Sequence, residues 1–198
     1  INSYSQVNMN KFIEIRCDKY AEFSVNLAAD SSNTKVIFKN GDLNQPMTIQ
    51  TALGYSPSYT SVARDTILRI YGDVTQIEFR GQDYFSYRFI TDSNTSLNQM
   101  WLQSLGLKHI DLKNLTALRY LHLYACRLDS IDVSNLTNLE YLDVSINENL
   151  KRLDLRGLTK LHSLFLFSTG VSELRIEGLT NINTIYCYDA KLSSMGYD

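Results

Sequence analysis

The chain of 198 residues is long enough for one domain or two small ones. Hydrophobic residues make up 44% and charged residues 20%, which is ordinary globular composition and excludes intrinsic disorder. The 19 basic and 21 acidic residues give a net charge of −2, so the chain lacks the basic surface of a nucleic-acid-binding protein. No apolar run reaches the ~18 residues of a transmembrane helix, and three cysteines are too few for a disulfide-rich scaffold.

The first 73 residues read as a series of short strands. Apolar and polar residues alternate in five segments, which are 11–17, 22–27, 35–39, 47–52 and 66–71. Because Asp, Asn, Ser, Gly or Pro separates each segment from the next, the pattern predicts a small antiparallel sandwich with little helix. Between the last two strands, residues 56–61 (SPSYTS) are predicted to form an exposed loop, since Ser and Pro favour turns.

Leucine marks a change of organisation after residue 90. Four leucines precede this point and 23 follow it. The second half contains five similar units, which start at Leu97, Leu118, Leu139, Leu161 and Ile182 and are separated by 21, 21, 22 and 21 residues. A weaker copy starts at Val74. A fixed period of this length is the sequence signature of a solenoid.

Each unit carries seven apolar residues at fixed positions. In the second unit these are Leu118, Leu121, Leu123, Leu128, Ile131, Val133 and Leu136. One flat coil cannot bury so many apolar side chains, whereas coils stacked on each other bury them between neighbours. In the Leu121-His122-Leu123 step the two leucines face inward and the histidine faces outward, as in a strand. The strands are therefore predicted to stack in parallel, about 4.8 Å apart.

The repeats resemble the leucine-rich repeat family. Its pattern L-x-x-L-x-L-x-x-N/C-x-L is matched by Leu118, Leu121, Leu123, Cys126 and Leu128. The short units and their duplicated halves are similar to bacterial cell-surface proteins of internalin-like character. The resemblance implies a mainly β fold with little helix. An N-terminal, sandwich-like β cap domain (residues 1–73) would precede a right-handed solenoid (residues 74–198) of five to six coils of 21–23 residues with a parallel concave sheet.

Two columns of the repeat concern its turns. The family's asparagine column reads Leu105, Cys126, Asn147, Thr169 and Ala190, which predicts turns less regular than the family norm. N-x-Ser/Thr sequons begin at Asn94, Asn114 and Asn135. The last two share a column with Gly157 and Gly178, so we interpret them as turn residues with positive φ rather than as glycosylation sites.

The outward positions of the predicted concave sheet indicate function. Eight of fifteen such residues are Trp, Tyr or Phe, compared with 11% aromatic residues overall. We expect a protein or peptide ligand to bind Trp101, Tyr120, His122, Tyr124, Tyr141, Asp143, Phe165, Phe167, Tyr186 and Tyr188. Two aromatic groups are expected, with Asp143 and Ser145 exposed between them. Two alternatives stay open: a glycan stacked on the same rings, or a structural spacer in which the rings only stabilise the sheet.

Catalysis and metal binding find little support in the sequence. His122 and Asp143 occupy adjacent coils of one outward column, and Ser145 follows two residues later, which is the nearest approach to a hydrolytic triad. An open sheet does not enclose the water-poor pocket that catalysis favours. We therefore predict no enzymatic activity, no metal, no cofactor and three separate free cysteines.

The resemblance also suggests where the protein acts. It implies an exported chain at the cell surface or secreted, and Ile1 without a preceding Met fits removal of a signal or lipid-anchored segment. At the other end, residues 182–188 form an open strand edge. We expect that either residues 191–198 fold over this edge or two chains associate through it.

Overall fold

The structure, a computed structural model, describes residues 7–53 and 58–196. These residues form sixteen β-strands and no helix, so the mainly β fold is confirmed. The strands are, in chain order, β1 (Phe12–Cys17), β2 (Glu22–Ala28), β3 (Thr34–Asn40), β4 (Leu43–Ile49), β5 (Tyr59–Val62), β6 (Ile67–Tyr71), β7 (Gln76–Arg80), β8 (Tyr87–Ile90), β9 (Gln99–Gln103), β10 (Tyr120–Tyr124), β11 (Tyr141–Asp143), β12 (Arg152–Asp154), β13 (Ser163–Phe165), β14 (Glu173–Arg175), β15 (Thr184–Tyr186) and β16 (Ser194–Gly196).

The N-terminal strands form two layers. Antiparallel pairing gives the first layer the order β4-β3-β6-β1-β8. In the second layer, β2 pairs antiparallel with both β7 and β5. Aromatic rings fill the space between the layers: Phe23 lies 5.6 Å from Phe38, and Phe79 lies 5.3 Å from Phe89, between ring centroids. The alternating apolar residues thus share one core, whereas the role of these layers as a cap for the repeats stays a prediction.

The prediction of a loop at residues 56–61 is wrong for residues 58–61, the part of this segment that the structure describes. Tyr59–Val62 forms β5, which pairs with β2 at the edge of the sheet. Aromatic and β-branched residues favour extended backbone, and beside the free edge of β2 this preference outweighs that of Ser for turns. The fourth strand also begins earlier than predicted, at Leu43, and contains Pro46. An edge strand tolerates proline because one side of its backbone needs no partner.

The repeats stack in parallel as a solenoid of about five turns. The strands β9, β10, β11, β13 and β15 are neighbours in the order of their units. Leu121 is in register with Met100 on one side and Leu142 on the other, and Leu142 is in register with Leu164. All four side chains are fully buried. The inward column predicted from the sequence is therefore confirmed.

The second apolar group of the later units forms a separate, shorter sheet. Its strands β12, β14 and β16 are parallel, and Leu153 is in register with Leu174. Both leucines are buried, whereas the outward residues of β12 and β14 are charged and exposed, namely Arg152, Asp154, Glu173 and Arg175. The two faces of the solenoid thus differ in chemistry, with charges on this back sheet.

The sheet of the repeats continues into the N-terminal layers. The strand β7 pairs in parallel with β9 and antiparallel with β2, so one eight-stranded sheet runs from β15 to β5. The weak repeat copy at Val74 leads into the strand that joins the two regions. In the other layer, β8, which the sequence pattern did not predict, pairs with β1. The division into domains 1–73 and 74–198 stays a prediction.

Left-handed backbone recurs after each strand of the repeat sheet. Five residues, Ser104, Ala125, Ile146, Ser168 and Asp189, occupy one column of the repeat and have φ between 49° and 57°. The amide of Ala125 donates to Ser145 O at 3.0 Å, and that of Ile146 donates to Phe167 O at 2.8 Å. Left-handed backbone is uncommon at residues other than glycine, and these bonds to the next coil stabilise it.

The positive φ predicted for Asn114 and Asn135 is wrong. In the repeat column that these asparagines share with Gly157 and Gly178, only the glycines have a positive φ, which is 84° at Gly157 and 80° at Gly178. The turn itself is shared, since Leu115 N donates to Leu112 O at 3.0 Å as in a β-turn. A type I turn keeps φ negative at both central residues, whereas glycine also permits the type II turn.

Residues 191–196, the described part of the segment predicted to fold over the last coil, do not pair with β15, and residues 197–198 lie outside the described residues. The strand β16 instead continues the back sheet beside β14, with Met195 in register with Leu174. This leaves β15 at the edge of the eight-stranded sheet. Ile185 is consequently only half-buried, whereas the equivalent Leu164 is fully buried. Association of two chains through this edge stays a prediction.

Candidate ligand-binding face

The outward side chains of the parallel strands lie on one side of the sheet. Trp101 is in register with His122, His122 with Asp143, Asp143 with Phe165, and Phe165 with Tyr186. The outward rings, which we call the aromatic face, are Trp101, Tyr120, His122, Tyr124, Tyr141, Phe165, Phe167, Tyr186 and Tyr188. The structure therefore brings the sequence-predicted site residues together on one surface.

The rings of the aromatic face form a continuous path. Tyr141 lies 5.9 Å from Trp101 and 5.2 Å from Phe165, between ring centroids. Phe165 continues to Tyr186 at 6.2 Å, and Phe167 stacks on Tyr188 at 5.9 Å with 13° between planes. The two aromatic groups predicted from the sequence are thus bridged by Tyr141, because its long side chain extends across the polar middle. Contacts of this kind also stabilise the sheet.

Exposure changes along the face. Tyr186 and Tyr188 in the last coil are 51% and 70% exposed, whereas the other rings are half-buried. Asp143 and Ser145, which we expected to be exposed, are buried at 6% and 3%. Asp143 is in register with the larger His122 on one side and Phe165 on the other, and a short side chain between two larger ones is shielded from solvent. The accessible surface is therefore aromatic throughout its middle rather than polar.

The buried Asp143 carboxylate is held by its neighbours. Its Oδ1 accepts a hydrogen bond from Ser145 N at 2.8 Å, and its Oδ2 lies 3.0 Å from His122 Nδ1, although that ring N–H is not aligned for a hydrogen bond. Burial alone raises the pKa of Asp143, but the contacts with His122 and Ser145 outweigh it, so the pKa falls below its ordinary value. Burial, and then the Asp143 charge, raises the pKa of Tyr141 to about 12.

The order of His122, Asp143 and Ser145 differs from that of a hydrolytic triad. In a triad the histidine lies between the nucleophile and the carboxylate. Here Asp143 is in the middle and contacts both other residues. The Ser145 hydroxyl oxygen accepts a hydrogen bond from Phe167 N at 3.2 Å. The cluster therefore anchors the carboxylate below the rings, and the lack of enzymatic activity stays a prediction.

Sequence reasoning missed that the outward face extends beyond the repeats. Glu78 in β7 is in register with Trp101, and Arg80 with Gln103. Next in the sheet, Asn26 in β2 is in register with Glu78. The weak repeat copy after Val74 was the available signal, because aligning it with the next unit places Glu78 and Arg80 in outward columns.

The remaining observations concern metal ligands, membrane-spanning helices, cysteines and similarity to known proteins. In the part of the chain that the structure describes, no three His, Cys, Asp or Glu side chains converge as metal ligands, and no helix has the length and hydrophobicity for a membrane crossing. All three cysteines are free thiols, as predicted. No protein-family model matches the chain, and no significantly similar curated protein or solved structure was found.

Proposed function

We propose that the chain is a non-catalytic binding module that recognises a protein or peptide ligand through the aromatic face. The observation that carries this proposal is the unbroken path of nine rings on the outward side of the sheet, which ends in the exposed Tyr186 and Tyr188. Contiguous exposed aromatic surface is typical of binding sites, and Tyr and Trp are common among the residues that dominate interface energetics.

The dimensions of the face favour an extended ligand. Trp101 and Tyr186 are four strands apart, which corresponds to about 19 Å at ~4.8 Å per strand. The rings are held by their neighbours before a ligand arrives, so little conformational entropy is lost on binding. An extended peptide or the edge of a protein would cover this length, whereas a small metabolite would not.

The ring angles favour a peptide over a glycan. Tyr141 is tilted by 31° to Trp101 and by 34° to Phe165, and Phe165 by 38° to Tyr186. The face is therefore ridged, and ridges accommodate side chains between the rings better than they support a flat sugar. The glycan is the second candidate because the stacked Phe167 and Tyr188 form a small flat surface at the last coil.

We further propose that the solenoid is a leucine-rich repeat of the short bacterial cell-surface type, exported and presented outside the cell. The repeat period and the leucine columns support this family assignment. On a cell surface, the aromatic face would serve to adhere to or capture a macromolecule of a host or of a neighbouring cell.

A displayed peptide library and a glycan array, both probed with the folded protein, test the proposal. The peptides selected should bind Trp101→Ala and Phe167→Ala at least about thirtyfold more weakly, as expected for interface anchors. Two changes away from this face, Lys108→Ala and Arg152→Ala, are the controls and should leave binding unchanged. Loss of binding in the controls with retention in both aromatic variants would contradict the proposal, and selective enrichment of glycans would favour the second candidate.

A further inference from the structure

A polar pocket lies beside the aromatic face on the same sheet. Asn26, Glu78 and Trp101 form one cross-strand row, in which each residue is in register with the next. A cavity of about 180 Å³ is lined here by Ser24, Asn26, Ser58, Glu78 and Arg80. This volume is below the ~300–1,000 Å³ of sites for drug-sized molecules, so it suits a single small group rather than a whole ligand.

Two buried polar atoms in this row have no partner. Asn26 Oδ1 and Trp101 Nε1 are both shielded from solvent, and neither makes a hydrogen bond in the described structure. Most buried polar atoms in native proteins are hydrogen-bonded, so each exception calls for an explanation. One atom is an acceptor and the other a donor, and Glu78 lies between them in the row. Of the two residues, Asn26 lines the cavity, so a ligand group that donates a hydrogen bond there would satisfy its Oδ1.

The charges in the pocket favour a neutral group. Arg80 Nη2 and Nε lie 2.6 Å and 2.8 Å from the same Glu78 oxygen, Oε1. No described residue donates a hydrogen bond to the other oxygen, Oε2. Because the two charges compensate each other, a charged ligand group would lose its hydration without gaining a free counter-charge. The Arg80 side chain is 57% exposed, so it is free to move and admit a ligand group.

We propose that this pocket is a subsite for a neutral carboxamide, carried by an Asn or Gln side chain of the ligand. The inference rests on the proposed function, because the rest of the peptide would lie along the aromatic face. The carboxamide N–H donates to Asn26 Oδ1 or Glu78 Oε2, which belong to residues that line the pocket, and Trp101 is the next residue of the row. A primary amide has donors and an acceptor, so it complements the Asn26 amide in either orientation.

Three matched peptides long enough to reach Phe167 test the subsite: acetyl-Gln-Phe-Ser-Phe-Ser-Phe-N-methylamide and its analogues with Glu or Leu in place of Gln. The N-methylamide end carries no second primary carboxamide that could occupy the pocket. Their backbones are identical, so differences in affinity report the first side chain. Trp101 is the only tryptophan of the chain, so its indole N–H gives a single, unambiguous NMR signal. We expect the Gln peptide to shift this signal and to bind at least about fivefold more tightly than either analogue.

Variants separate the subsite from the aromatic face. Asn26→Ala should remove the preference for Gln, whereas Phe167→Ala should weaken all three peptides alike. Asn44→Ala, an exposed asparagine in β4 of the other layer, is the matched control and should change neither. Equal binding of the three peptides to the unmodified protein would overturn the subsite and leave the proposed function standing. No binding of any peptide would contradict both, and an indole shift with methyl glucoside alone would assign the pocket to a sugar and overturn the carboxamide.

Discussion

The Asn147 side chain accepts a hydrogen bond from the backbone amide of Cys126, the residue that occupies the equivalent position in the preceding coil. Asn147 Oδ1 accepts hydrogen bonds from Cys126 N at 3.1 Å and Leu128 N at 3.0 Å. Its Nδ2 donates to three carbonyls, including Leu123 O of the preceding coil at 2.8 Å and Val144 O at 2.7 Å. One buried side chain therefore contacts five backbone groups across two coils, and the other coils have no asparagine in this column.

Two buried asparagines should respond differently to replacement by alanine. Asn147→Ala leaves four backbone groups, Cys126 N, Leu128 N, Leu123 O and Val144 O, without these hydrogen bonds, whereas Ser145 O keeps the one from Ala125 N. We therefore expect it to lower the free energy of unfolding by at least about 3 kcal/mol. Asn94 is equally buried, but neither side-chain polar atom has a partner among the described residues. Asn94→Ala should therefore change the free energy by less than about 1 kcal/mol. Urea unfolding of both variants would decide this, and equal losses would contradict the assigned hydrogen bonds.

The sequence predicted the columns of the repeat better than the depth of individual side chains. The inward position of Leu142 and the outward position of Trp101 follow from a fixed period, which local sequence contains. The burial of Asp143 depends on the size of rings in neighbouring coils, and the strand at Tyr59–Val62 depends on a free edge supplied by β2. The pocket at Asn26 was missed because it joins strands distant in sequence.

Truncation within the central coils should be far more costly than truncation at their surface. Leu142 is fully buried between two coils, so Leu142→Ala should cost about 2–5 kcal/mol in unfolding free energy. Glu140, two residues earlier, makes a partly exposed double hydrogen bond with Arg119. Glu140→Ala should therefore cost no more than about 1 kcal/mol. Chemical denaturation midpoints compare the two, and similar losses would show that the register is shifted by one residue.

Replacing Gly170 or Gly157 by alanine should destabilise the solenoid for different reasons and by different amounts. A Cβ at Gly170 would overlap the backbone carbonyl of Glu148 in the coil before, so Gly170→Ala requires the coils to separate locally. A Cβ at Gly157 would meet nothing within 4 Å, but φ there is +84°. We expect Gly157→Ala to cost about 1 kcal/mol for backbone strain, and Gly170→Ala to cost at least twice as much. Thermal unfolding of both variants tests this, and a Gly170→Ala protein as stable as the unmodified one would contradict the stacking of these coils.

The Asp143 carboxylate should contribute to stability at neutral pH and less in acid. Although burial raises its pKa, His122 and Ser145 hold that pKa below the ordinary value. The contribution is therefore complete above the unfolded pKa of about 3.9 and is lost as pH falls through the lower folded pKa. Between pH 6 and pH 2, the free energy of unfolding of Asp143→Asn should fall less than that of the unmodified protein. The same difference should be seen in ~1 M NaCl, because salt screens buried charges only weakly. The exposed Asp154, whose pKa Arg156 lowers to about 2, is the control, and its acid-dependent contribution should be reduced by salt. Urea midpoints across this range provide the measurement, and an acid loss in Asp143→Asn equal to that of the unmodified protein would contradict the assigned contacts.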